Sequence, residues 1–75
     1  MKTLIDESIL RCEIITLAAN HLTEYRLSDN PSLDEMVSEI PWAVMSAMES
    51  KSISPDSNYE LKDELIEYFA DFFYR

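Results

Sequence analysis

His21 and Glu24 form an H-x-x-E pair one helical turn apart, the smallest arrangement in this chain that could move a proton or hold a metal ion. Nothing else in the sequence extends it. His21 is the only histidine, whereas a di-iron carboxylate site draws carboxylates and two histidines from four helices. It therefore reads as a packed or half-exposed side chain at the edge of an apolar face. Cys12, the single cysteine, lies in an apolar arc, and its one neighbouring cation, Arg11, projects elsewhere; such a thiol behaves as a small hydrophobe. Asp56, Asn58, Glu60 and Glu67 fall at positions 1, 3, 5 and 12 of a calcium loop, but Leu61 stands where the sharp turn requires glycine. No catalytic residue, metal ligand or cofactor is assigned, and the chain is read as a binding module and not an enzyme.

The residues that remain are acids. Glu60, Asp63, Glu64, Glu67 and Asp71 recur at three- and four-residue spacing near the C-terminus, which on a helix places them within about 100° of arc. Glu60–Glu64, Asp63–Glu67 and Glu67–Asp71 are like-charged i,i+4 pairs, each costing a few tenths of a kcal/mol where opposite charges would gain as much. The acids are also unevenly distributed along the chain. Residues 1–28 hold four acids and three bases, a net of −1; residues 29–75 hold eleven acids and three bases, a net of −8. A field of this sign repels nucleic acid and anionic membranes, and it attracts basic proteins by long-range steering. Solubility is the plainer use of such a face.

Four helical segments are expected to carry these residues. Thr3 with Asp6 offers an N-cap for a first helix, Leu4 to about Arg26, uninterrupted by proline or glycine. Its polar stripe is narrow (Asp6, Glu13, Asn20, Glu24), and most of the remaining circumference is apolar, including Ile9, Ile14, Leu17, Ala18 and Leu22. That is wider than the ~100° stripe of an ordinary surface helix. Leu27–Ser32 breaks the chain. Ser32 and Glu35 then form a capping box for a short second helix that Pro41 is expected to stop, since proline lacks an N–H and disfavours helical geometry at Ile40. A third short helix is read from Trp42 to about Glu49. KSISPDSN forms a linker, and Ser57 or Asn58 caps a last helix from Tyr59 to near Arg75.

The expected fold is therefore all-α, one domain over residues 1–75: a small bundle of about four helices ordered long, short, short, long. Two-turn helices have little area with which to cover the first helix, so a homodimer through that helix is expected. The C-terminal aromatics Tyr68, Phe69, Phe72 and Phe73 are read chiefly as core; Tyr74 projects near the acidic side as a candidate anchor. Trp42 is either a core plug or an interface anchor.

Composition narrows the rest. An apolar fraction of 47% excludes a disordered chain despite a net charge of −9. The absence of glycine excludes phosphate-binding loops and nucleophile elbows, and it forces asparagine, serine and proline to close the helices. Acidic residues at Asp6 and Glu7 interrupt any export-signal pattern, no stretch approaches the ~20 apolar residues of a membrane span, and one cysteine excludes an internal disulfide. A cytoplasmic location is expected. The leading reading is an inhibitor or regulator that blocks a basic, nucleic-acid-handling protein through Glu60, Asp63, Glu64, Glu67, Asp71 and Tyr74. The alternative is a homo-oligomeric adaptor using the apolar surface of the first helix.

Overall fold

The computed structural model describes the backbone of residues 5–74 and the side chains of residues 8–74. Among the described residues there are three helices and no strand: α1, Ile5–Asp29; α2, Leu33–Ser50; and α3, Tyr59–Phe73. The all-α class is as expected, but four helices become three, because Pro41 lies inside α2 and does not end it. The expected Thr3 cap lies outside the described residues.

An interior proline leaves the Val37 carbonyl without its i+4 donor and crowds it with the ring, a cost of ~3 kcal/mol in an exposed helix. Packing on both sides of Pro41 outweighs that cost. Met36 and Ile40 are buried before it, and Ala43, Val44, Ala47 and Met48 after it, all on one face. A break at Pro41 would leave two segments well below the 12–15 residues at which an isolated helix becomes even marginal. One continuous helix carries the whole apolar face into the same core.

That core places α2 in the centre. Its buried face meets Ile14, Ala18 and Leu22 of α1 and Leu65 and Phe69 of α3. Both α1 and α3 pack principally on α2. Ala18 and Ala43 are wholly buried and Ala47 nearly so, small side chains that let helix backbones approach closely.

The helix ends show how a chain without glycine turns corners. The Ser32 hydroxyl accepts the Glu35 N–H at 3.2 Å, and the Glu35 carboxylate accepts the Ser32 N–H at 2.9 Å, completing the expected capping box. Asn30 adopts φ 49° and donates its N–H to the Arg26 carbonyl at 3.1 Å, so α1 continues a turn beyond its expected end and closes on a left-handed asparagine. Ser52 adopts φ 61°. Around it the Ser52 N–H reaches the Glu49 carbonyl and the Ile53 N–H the Met48 carbonyl, both at 2.9 Å. These two bonds make a Schellman closure, and Ile53 packs against the core that contains Met48. Asn58 occupies the N-cap position of α3, but its side chain makes no capping bond; its amide donates instead to the Ser54 carbonyl at 3.0 Å.

Two stability predictions follow from these features. Pro41→Ala restores a helical hydrogen bond and should raise stability to unfolding by about 1–3 kcal/mol; were Pro41 the first residue of a separate helix, the change would be neutral or destabilising. Ser52→Gly relieves a left-handed serine and should add up to about 1 kcal/mol. Urea denaturation followed by circular dichroism measures both.

Candidate functional site

The acidic face is built by α3. Leu65 and Phe69 turn into the core with Leu61, Ile66 and Phe73 half-buried beside them, and this fixes the opposite side of the helix toward solvent. Glu60, Asp63, Glu64, Glu67, Asp71 and Tyr74 are all exposed there. Glu64, Glu67, Asp71 and Tyr74 come together with Tyr68 and Ala70 around one shallow depression. Glu60 lies a turn earlier, beside Ser57, Asn58 and Tyr59. Lys62, the one base within α3, is half-buried on the other side of the helix.

Among the described residues one cation reaches this face. The Arg11 guanidinium of α1 donates to the Glu64 carboxylate at 2.7 Å, with both side chains substantially exposed. An exposed pair of this kind contributes about 0–1 kcal/mol. It neutralises one of the five acids and ties α1 to α3. Two further pairs tie α1 to α2: Lys51 to Glu13 at 2.9 Å, and His21 to Glu39 at 2.7 Å. His21 thus meets a carboxylate of another helix, and not Glu24 of its own.

A second acidic region lies where α1 ends and α2 begins. The hydroxyl of Tyr25, a residue half-buried overall, is held above the ordinary tyrosine value of 10.0, first by desolvation and then by the carboxylates of Glu35, Glu39 and Asp29. Nowhere among the described residues do three His, Cys, Asp or Glu side chains converge as a metal ion would need.

Several apolar residues lie elsewhere than expected. Cys12 is exposed, because the buried stripe of α1 runs through Ile14, Ala18 and Leu22, about a third of a turn away. Ile9 is 52% exposed on the same outer side, and with Cys12, Thr16 and Leu17 it lines a mostly apolar depression. Trp42 is exposed, projecting from the side of α2 away from the core, and is no core plug. The C-terminal aromatics divide. Phe69 is buried and Phe73 half-buried, but Tyr68 and Phe72 are 53% and 64% exposed. These two line a groove between α1 and α3 with Ile15, Ala19, Leu22 and Phe69, and with Arg26 and Thr23 on its α1 side. Sequence reasoning missed this groove. Its one signal was the width of the aromatic arc on α3, broader than a single neighbouring helix covers.

Comparison with known proteins finds no matching family model, no similar curated protein and no similar solved structure. No described helix is long and apolar enough to cross a membrane.

Because the folded state disfavours ionised Tyr25, its stabilising effect is complete below pH 10 and is lost as pH rises through the higher, folded-state value. The urea midpoint of the wild type should fall more steeply above that pH than the midpoint of Tyr25→Phe. Parallel curves would show that the Asp29–Glu35–Glu39 surroundings do not act on this phenol.

Proposed function

We propose that this protein is a binding module that engages a basic protein through the acidic face of α3, acting as an inhibitor or regulator of that partner. The observation that carries the reading is the set of five exposed carboxylates on one side of a helix, met by a single exposed arginine among the described residues. Glu60 to Asp71 spans eleven residues, about 16 Å of helix axis at 1.5 Å per residue. The five acids therefore present about one carboxylate per 4 Å, Glu64 paired with Arg11 and the other four free of cations among the described residues, a spacing of the same order as the ~3.4 Å between phosphates along a DNA strand. A surface evolved to hold a phosphate backbone would meet a comparable row of charges here, without bases to read. Blocking would be steric and electrostatic, and Tyr74, 62% exposed beside Asp71, supplies an aromatic anchor.

The test is capture from a cell lysate on immobilised protein, eluted with rising salt, beside the variant Glu60→Lys/Asp63→Lys/Glu67→Lys. All three side chains are exposed, so the fold should be retained. A basic, nucleic-acid-handling protein held by the wild type, released as salt rises and not held by the variant supports the reading. With that partner in hand, the triple reversal should slow association and flatten its salt dependence, whereas Arg11→Gln should quicken it by removing the opposing charge. An association rate indifferent to both changes refutes the assignment.

A second reading draws on the outer side of α1, where Ile9, Cys12 and Leu17 are exposed together. A homodimer through this surface would belong to a structural or adaptor protein, with the acids serving solubility. Light scattering at micromolar concentration decides it: a dimer that Leu17→Asp converts to monomer supports this reading, and a wild-type monomer removes it.

A further inference from the structure

The groove between α1 and α3 adds a feature that binding through charge alone would not need. Its walls include Ile15, Ala19 and Leu22 of α1 and Tyr68 and Phe72 of α3, with Met36 of α2 also lining it, around an open volume of about 270 Å³. Two aromatic side chains more than half exposed on a 75-residue protein are a sizeable apolar surface left in water. They are also held in place: Tyr68 packs edge-to-face on Phe69 at 5.2 Å, and Phe72 on Phe73 at 6.0 Å. One turn before the groove begins on each helix, the Arg11–Glu64 pair ties its two walls together.

Size and charge indicate what fits. The volume lies below the 300–1,000 Å³ typical of sites for drug-sized molecules, and suits a few side chains of a partner segment. The α1 wall runs from Ile15 to Arg26, about 16 Å, and the α3 wall from Tyr68 to Phe73, about 8 Å, so a partner helix can set anchors at i, i+3 or i+4, and i+7 along α1 and two of them against α3. The two walls differ in charge. On α3, Tyr68 lines the groove and also borders the acidic depression formed with Glu64, Glu67 and Asp71. The α1 wall carries Arg26 and Thr23. An occupant lying along the groove therefore meets carboxylates on its α3 side and a guanidinium on its α1 side.

We propose that this groove receives the apolar stripe of a basic amphipathic helix, whose lysines and arginines rest on the acidic face of α3. The inference rests on the reading that this acidic face binds a basic partner, and it names the partner's form: a helix with apolar residues at three- and four-residue spacing beside a basic flank. The acids supply steering and orientation, and Phe72 and Tyr68 supply the contact that holds the partner.

The experiment uses two labelled synthetic peptides of about 16 residues, long enough to form a helix on binding. Both contain only leucine and lysine in equal proportion: one with leucines in a single helical stripe, the other with the same composition scrambled so that no stripe forms. Fluorescence anisotropy at about 150 mM salt, where long-range steering is screened, should show the striped peptide binding at least about tenfold more tightly than the scrambled one. Phe72→Ala, an exposed position at which folding is checked by circular dichroism, should remove most of that difference and leave the scrambled peptide's weak binding unchanged. Glu60→Lys/Asp63→Lys/Glu67→Lys should weaken both peptides. Equal binding of the two peptides, or indifference to Phe72→Ala, overturns the groove and leaves the acidic-face reading standing. Striped binding that needs Phe72 but ignores the triple reversal overturns the acidic-face reading itself, and the basic flank with it. Absence of binding by either peptide overturns both.

Discussion

The apolar face of α2 from Met36 to Met48 is buried against two helices at once, and the rest of the molecule is arranged around that seam. Six buried residues on one helix give α1 and α3 a common surface, so each flanking helix covers its own apolar stripe without enclosing the other. Fully burying a residue such as Ile40 or Val44 contributes about 1.5–3 kcal/mol relative to exposure, so several of them together outweigh an interior proline and two left-handed corners. The same arrangement sets what remains uncovered. Because α1 and α3 pack principally on α2, a groove opens between them at their C-terminal halves, and the far side of α1 is left to solvent.

Charge follows packing. The side of α3 turned away from α2 has no helix against it, so carboxylates can accumulate there at no desolvation cost. Mutual repulsion between acids one turn apart is the cost of keeping them, a few tenths of a kcal/mol for each pair. Among the described residues, the polar side-chain links that cross between helices all begin on α1: the ion pairs of Arg11 with Glu64 of α3 and of Glu13 with Lys51 at the end of α2, and the hydrogen bond of His21 with Glu39 of α2. Exposed or half-exposed as they are, they contribute little stability, but they tie α1 to the other two helices at three points along its length. The acidic face and the groove consequently lie side by side on α3, so that long-range attraction and short-range apolar contact can act on one partner.

Much of this was legible in the residues themselves. Period-3.6 patterning indicated the all-α class, the position of α3 and the exposure of Glu60, Asp63, Glu64, Glu67, Asp71 and Tyr74, and the three-residue spacing of Ser32 and Glu35 indicated the capping box. Each is a local property: a cap is closed within four residues, and a strongly amphipathic helix can bury only one side. Of the asparagine, serine and proline to which the lack of glycine directed the helix ends, Asn30 and Ser52 hold the left-handed closures, whereas Pro41 closes none.

What the sequence could not determine was competition between local preference and packing. Pro41 signals a helix end to its immediate neighbours, and only the burial of Met36 and Ile40 on one side with Ala43 to Met48 on the other keeps α2 continuous. The wide apolar circumference of α1 and the aromatic arc of α3 each allowed several choices of buried stripe. The placement of α2 made the choice: it put Ile14, Ala18, Leu65 and Phe69 inside, and left Cys12, Ile9, Tyr68 and Phe72 in contact with water. Composition and spacing thus determined which residues are able to face a core. Which of them do so depended on how many neighbours each helix has, and that is a property of the assembled fold.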